Sequence, residues 1–258
     1  MKKLHMAITV AILGMAVNIA VAQEDEPPTR FTYATYFNCN AAMQDAVDDM
    51  VADDVAVMDK LVDQGTILGW GWLAHHTGGQ WRRVRYSQAG SIEDLLDAQD
   101  AIGEALDAAA GNKAAAAKAT KAFNEACPSH DDYIWSGEIG SQGSKRGAAS
   151  FSVYYVCDVG REDRADEIVK EHFAPIFDKL VKDGSLTTWG WSSHIVGGKY
   201  RKLQTMTAAS QKSLIKARSA AIAALYGDDG DNAMGQEFAE ICGPHVDYMW
   251  DIVHEKTM

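Results

Sequence analysis

Two histidine–arginine pairs hold most of the chemistry this sequence could perform. His75 and Arg82 stand seven residues apart, and His194 and Arg201 repeat that spacing 119 residues later. Each histidine closes a predicted strand just before a Gly-Gly turn, and each arginine opens the strand that follows. A neutral imidazole accepts a proton or ligates a metal, haem iron included. A guanidinium grips a carboxylate through two parallel hydrogen bonds, so such a pair suits an anionic ligand. The same histidines also read as half-exposed caps on strand ends. Trp70 and Trp189 lie just upstream, with Trp72 and Trp191 on the same strand faces. Large aromatics on one sheet face build a core or line a pocket for a flat, apolar ligand. The ligand-binding candidates are therefore His75, Arg82, His194, Arg201, Trp70 and Trp189.

The spacing recurs because the chain states one pattern twice. Residues 70–83 match 189–202 at an offset of 119, and 127–135 match 242–250 at an offset of 115. Two blocks in the same order mean a duplicated unit of roughly 110 residues, long enough for one core each. The expected division is a leader at 1–22, a first repeat at 23–140, a linker at 141–149 and a second repeat at 150–258.

Each repeat reads as strand, helix, strand, strand, helix, strand. Phe31 to Cys39 is aromatic and β-branched. Asn40 to Gln64 places Val47, Met50, Val51, Val55, Met58, Leu61 and Val62 at helical spacing, with Gly65 where a C-cap belongs. Two strands follow, joined at Gly78-Gly79. Ser91 with Asp94 starts a second helix, which breaks near Gly111-Asn112 and leads to a last strand from Asp132. Ser210 matches Ser91 in the second repeat.

A βαββαβ unit is a ferredoxin-like plait, whose first and last strands are antiparallel neighbours. Cys39 ends the first strand and Cys127 shortly precedes the fourth; Cys157 and Cys242 repeat those places. Bridges Cys39–Cys127 and Cys157–Cys242 follow if the compartment is oxidising. The rival reading is a Cys-x-x-His metal pair, Cys127 with His130 and Cys242 with His245. Disulfides are the preferred reading, and no metal site is expected.

The N-terminus supports export. Lys2 and Lys3 precede the apolar run Met6–Val17, and Ala20-Val21-Ala22 has the small-x-small pattern of a cleavage site. The expectation is a periplasmic or secreted protein with no membrane attachment once the leader is removed. The net charge of −12 repels phosphate backbones and anionic lipid, so nucleic acid is not an expected partner. The acids weigh on one repeat: residues 23–140 carry 20 acids and 8 bases, residues 141–258 carry 16 and 14. Acids such as those from Asp45 to Asp63 read as a solvated helix face. No covalent-haem motif, nucleophile elbow, phosphate loop or zinc-protease motif is present, and Asp228-Asp229-Gly230-Asp231 misses the calcium-loop spacing.

A single plait leaves one sheet face uncovered, and a second plait in the same chain can cover it. Element order and duplication over residues 30–255 resemble the dimeric α+β barrel superfamily. The implied fold class is α+β: two tandem ferredoxin-like units packed sheet to sheet as a pseudo-twofold barrel, an intrachain pseudo-dimer. That superfamily includes cofactor-free monooxygenases, haem-handling enzymes and small ligand-binding proteins. Two functional readings follow. One is an exported binding or interaction protein for a small apolar or anionic ligand, with no cofactor. The alternative is a cofactor-free or haem-dependent oxidoreductase. The chain offers no nucleophile–base–orienter set, which favours the first.

Overall fold

The structure is a computed structural model that describes residues 29–141, 146–227 and 230–258. The leader at 1–22, linker residues 142–145, and Asp228 and Asp229 of the acidic loop lie outside the described residues. Chain order is β1 (Arg30–Asn38), α1 (Gln44–Asp63), β2 (Gly69–Gly78), β3 (Arg83–Ala89), α2 (Ile92–Ala109), α3 (Lys113–Ala126) and β4 (Ser129–Gly140). Then come β5 (Ala149–Tyr155), α4 (Glu162–Ile168), a π-helical turn (Val169–Phe173), α5 (Ala174–Lys182), β6 (Thr188–Val196), β7 (Lys202–Ala208), α6 (Gln211–Tyr226), α7 (Ala233–Cys242) and β8 (His245–Thr257).

Local chemistry sets these boundaries. Ser91 accepts the Asp94 amide at 3.0 Å to cap α2, and Ser210 with Ser213 forms a reciprocal capping box on α6. Gly65, at φ 73°, closes α1 in the left-handed conformation that a Cβ disfavours, and its amide reaches Val62 O at 2.9 Å. The expected break after the second helix occurs at Gly111, and Asn112 caps α3 through the Ala115 amide.

The strands close into one antiparallel barrel in the order β1-β3-β2-β8-β5-β7-β6-β4. Within it, β4-β1-β3-β2 and β8-β5-β7-β6 have the same internal order. The two sheets do more than face each other, because their edges hydrogen-bond. β2 pairs with β8 and β4 pairs with β6, so no strand edge is left open. The helices lie outside, each set burying an apolar cluster against its own sheet. A third cluster, built largely from Tyr and Trp, fills part of the barrel lumen. Among the described residues no helix is long and apolar enough to cross a membrane.

The strand-neighbour argument for the cysteines holds. Cys39 bonds Cys127 and Cys157 bonds Cys242, closing separations of 88 and 85 residues and leaving no free thiol. The Cys-x-x-His metal reading therefore loses its sulfur ligands. Among the described residues no group of three metal-binding side chains occurs. His245 instead bonds the Gly243 carbonyl at 2.7 Å, and His130 approaches Asp132 at 3.3 Å.

Candidate functional site in the barrel lumen

The repeated tryptophans sit on the outer face of the barrel, under the helices. Trp70 and Trp72 donate from their indole nitrogens to Asp59 and Asp48 of α1, at 2.9 and 2.7 Å. Trp189 and Trp191 donate to Asp178 and Asp166, both at 2.7 Å. Asp48 also takes a bidentate pair from buried Arg83, and Asp166 takes the ammonium of buried Lys202 at 2.6 Å. In both halves, then, a helix aspartate clasps an indole and a cation of the sheet. Asp48, Asp59, Asp166 and Asp178 were concealed in the sequence among helix acids that read as solvated.

The histidine–arginine pairs occupy one end of the barrel, at its two seams. Arg201 donates to His194 Nδ1 at 2.8 Å, and Arg82 reaches the His75 ring at 3.1–3.2 Å. Each imidazole packs edge-on against a stacked Tyr–Trp pair of the other half: His75 on Tyr248 and Trp250, His194 on Tyr133 and Trp135. Burial first, helped by the adjacent guanidinium, holds both histidines below the ordinary imidazole pKa. Arg201 is gripped by both carboxylate oxygens of Glu162, at 2.6 and 3.3 Å. Its charge is therefore already matched by a protein carboxylate.

The Gly-Gly turns complete each seam. Tyr248 Oη accepts the Gln80 amide at 2.9 Å, and a Cβ on Gly79 would lie 2.5 Å from Tyr248 Cζ. Tyr133 packs against the Gly197-Gly198 turn in the matching place, its Oη 2.5 Å from where a Cβ on Gly198 would stand. The matching histidines and Tyr–Trp pairs of the two halves thus meet across the seams, where they join one half to the other.

The barrel's other end is open and leads into a cavity of about 520 Å³. Tyr36, Trp135 and Tyr154 line its inner part, Ala34, Leu73, Val84 and Leu203 line its apolar wall, and Ser150, Ser152, Ser192 and Thr205 line its hydroxyl wall. Arg30 and Glu138 bring one charge of each sign to the lining. Arg146, from the end of the linker, turns into the lumen. There it donates to Tyr86 Oη at 2.9 Å and to Glu255 at 2.7 Å. Tyr86 also donates to Glu255. Burial pushes the Tyr86 phenol well above its ordinary pKa, so it stays protonated. On the cavity's inner wall, Trp135 Nε1 donates to Tyr36 Oη at 3.2 Å, whereas the buried Trp250 Nε1 has no partner. A smaller cavity of about 250 Å³ lies between the second sheet and its helices, bordered by Tyr155, Gln204, Arg218, Tyr226 and His245.

No protein-family model and no curated protein sequence matches this chain. Solved structures do. A candidate monooxygenase from Lactobacillus acidophilus superposes with a TM-score of 0.59 at 8% identity, covering 89% of this chain and 96% of that one. An anthrone oxidase-like protein gives 0.54 at 14% identity, over 90% and 94%. Chlorite dismutase from Candidatus Nitrospira defluvii gives 0.51 at 8% identity, over 88% and 92%. The chain has the dimeric α+β barrel fold. Identities this low establish the fold and leave the chemistry to the residues.

Within this α+β barrel, the residues do not fit haem. Among the described residues no histidine or cysteine lines the 520 Å³ cavity, and the one thioether, Met258, is exposed. Two of the cavity tyrosines are already engaged by the protein: Tyr36 accepts from Trp135, and Tyr86 accepts from Arg146 and donates to Glu255. His75 and His194 lie at the opposite end, each accepting from an arginine. The smaller cavity holds His245, but its volume is below the usual range for a pocket that encloses a large ligand.

Proposed function

We propose that this protein is an exported small-molecule-binding protein whose site is the barrel lumen. The observation that carries the reading is the 520 Å³ cavity, which is lined by apolar and aromatic side chains, a set of hydroxyls and Arg30. Its volume falls within the range of small-molecule sites, and its mix of apolar surface with a few polar groups is what such sites use to bind and orient a ligand. The two halves are best understood as copies of one ferredoxin-like unit, with the shared His, Arg, Trp and Tyr residues keeping the copies joined. Ligand recognition then falls to the lumen residues, with Arg30 available to an anionic substituent. Two disulfides of long separation support a compartment outside the reducing cytoplasm, periplasmic or extracellular.

The oxidoreductase alternative draws on one observation of its own, the Tyr86–Glu255 phenol–carboxylate pair at the cavity wall. Binding and turnover are separable. A fragment screen by NMR on the wild type and on Ser152→Leu, which fills the lumen from a buried strand position, tests the binding reading. Hits that bind the wild type and vanish in Ser152→Leu support it. Hits that bind both proteins alike place the site elsewhere. Oxygen uptake in the presence of a hit would favour the alternative.

A further inference from the structure

The barrel's pseudo-symmetry gives the lumen two lobes of common design, and the described residues fill only one. In the first lobe Gly71 has Tyr86 as its cross-strand neighbour on one side and Glu255 on the other. In the second, Gly190 has Thr205 and Gly140 in the matching places. The rows β3-β2-β8 and β7-β6-β4 thus read Tyr-Gly-Glu and Thr-Gly-Gly. The phenol end of Tyr86 occupies the space above Gly71: a Cβ there would stand 2.6 Å from Tyr86 Cζ. Above Gly190 no ring is present, and the nearest neighbour of a Cβ would be Thr205 Oγ1 at 3.1 Å. Gly190, Thr205 and Gly140 all line the cavity, whereas Gly71 does not.

We infer that the second lobe takes a planar phenol-type ring from the ligand, seated over Gly190 as Tyr86 is seated over Gly71. This rests on the lumen being the ligand site and names the class of ligand it selects. A glycine in mid-strand weakens the strand and marks a place of close approach. The first lobe shows what Gly71 admits, and the second keeps the glycine without the ring. Trp135 and Tyr154 line the same cavity and offer aromatic surface to an incoming ring. Ser192 and Thr205 offer hydroxyls that accept from a phenol or donate to it.

The test uses p-cresol, the tyrosine side chain as a free molecule, against 4-methylcyclohexanol, which matches it in size without the planar ring. Binding is measured by titration calorimetry on the whole protein. One equivalent of p-cresol should bind the wild type about tenfold more tightly than the saturated alcohol, the scale of an aromatic contact beyond area burial. Thr205→Tyr copies the first lobe into the second and should weaken p-cresol binding by about tenfold or more while the melting temperature holds. Thr205→Met, a smaller and more adaptable filler, should weaken it less and guards against misfolding of the tyrosine variant. Equal affinity for the two probes, or unchanged p-cresol binding in both variants, would overturn the phenol assignment. If the saturated alcohol still binds and is lost in Ser152→Leu, the lumen reading survives that result. If neither probe binds at millimolar concentration, both readings fall.

Discussion

The outer layer of this barrel is nearly the same in both halves, while the lumen is not. Outside, Trp72–Asp48–Arg83 and Trp191–Asp166–Lys202 repeat one clasp between helix and sheet. Inside, Tyr86 and Glu255 have Thr205 and Gly140 as counterparts, and Arg146 enters from one side alone. On the proposed reading of the halves as copies, what they share is what both need to stay folded and joined. Ligand recognition can live in one copy, so divergence inside the lumen points to the site more clearly than repetition does.

Breaking the shared layer should cost stability in either half. The largest effect is expected from the bridges. Replacing Cys157 and Cys242 together by Ala frees a separation of 85 residues and should lower the unfolding free energy by about 4 kcal/mol in the chain-entropy account, read by denaturant titration. The Cys39–Cys127 pair should behave alike. Asp166→Ala leaves buried Lys202 without its carboxylate and should cost about 3 kcal/mol, with Asp48→Ala similar through Arg83. A much smaller loss in one half would show that the clasp is not equivalent in the two. Tyr248→Phe removes the acceptor for the Gln80 amide at a seam and should cost about 1 kcal/mol. Thr205→Val in the lumen, by contrast, should leave the melting temperature close to wild type.

The smallest expected effect is a pH dependence at the seams. His75 and His194 are held below the ordinary imidazole pKa in the folded protein, so the unfolded chain binds their protons more readily. Their contribution is fully present above the unfolded value of about 6.5 and is lost as pH falls below it toward the folded values. The melting temperature of the double variant His75→Gln, His194→Gln should therefore fall less than that of the wild type between pH 7 and pH 5. Parallel declines would assign the acid sensitivity to other groups.

Much of the scaffold could be read from the chain because its two matching blocks reveal element order. The βαββαβ pattern placed Cys39 beside Cys127, and Ser91 and Ser210 announced their helix starts. The closing of the sheets through their edges could not be read, since β2–β8 and β4–β6 pairing joins strands far apart in sequence. Asp48 and Asp166 were concealed because a helix acid facing an indole has the same local pattern as one facing water. The lumen was hidden for the opposite reason. Comparing repeats draws attention to matches such as His75 and His194, whereas Thr205 and Gly140 matter through their difference from Tyr86 and Glu255. Nor does the linker's composition reveal that Arg146 turns inward.

The central claim is that divergence inside the barrel, and not repetition at its seams, marks the binding site. Amide chemical-shift mapping during titration with a bound fragment tests it most directly. The account predicts the largest shifts at Gly190, Thr205, Gly140 and Ser192, with Gly71 and the seam residues His75, Arg82, His194 and Arg201 little moved. Largest shifts at the seam pairs, or equal shifts at Gly71 and Gly190, would contradict it.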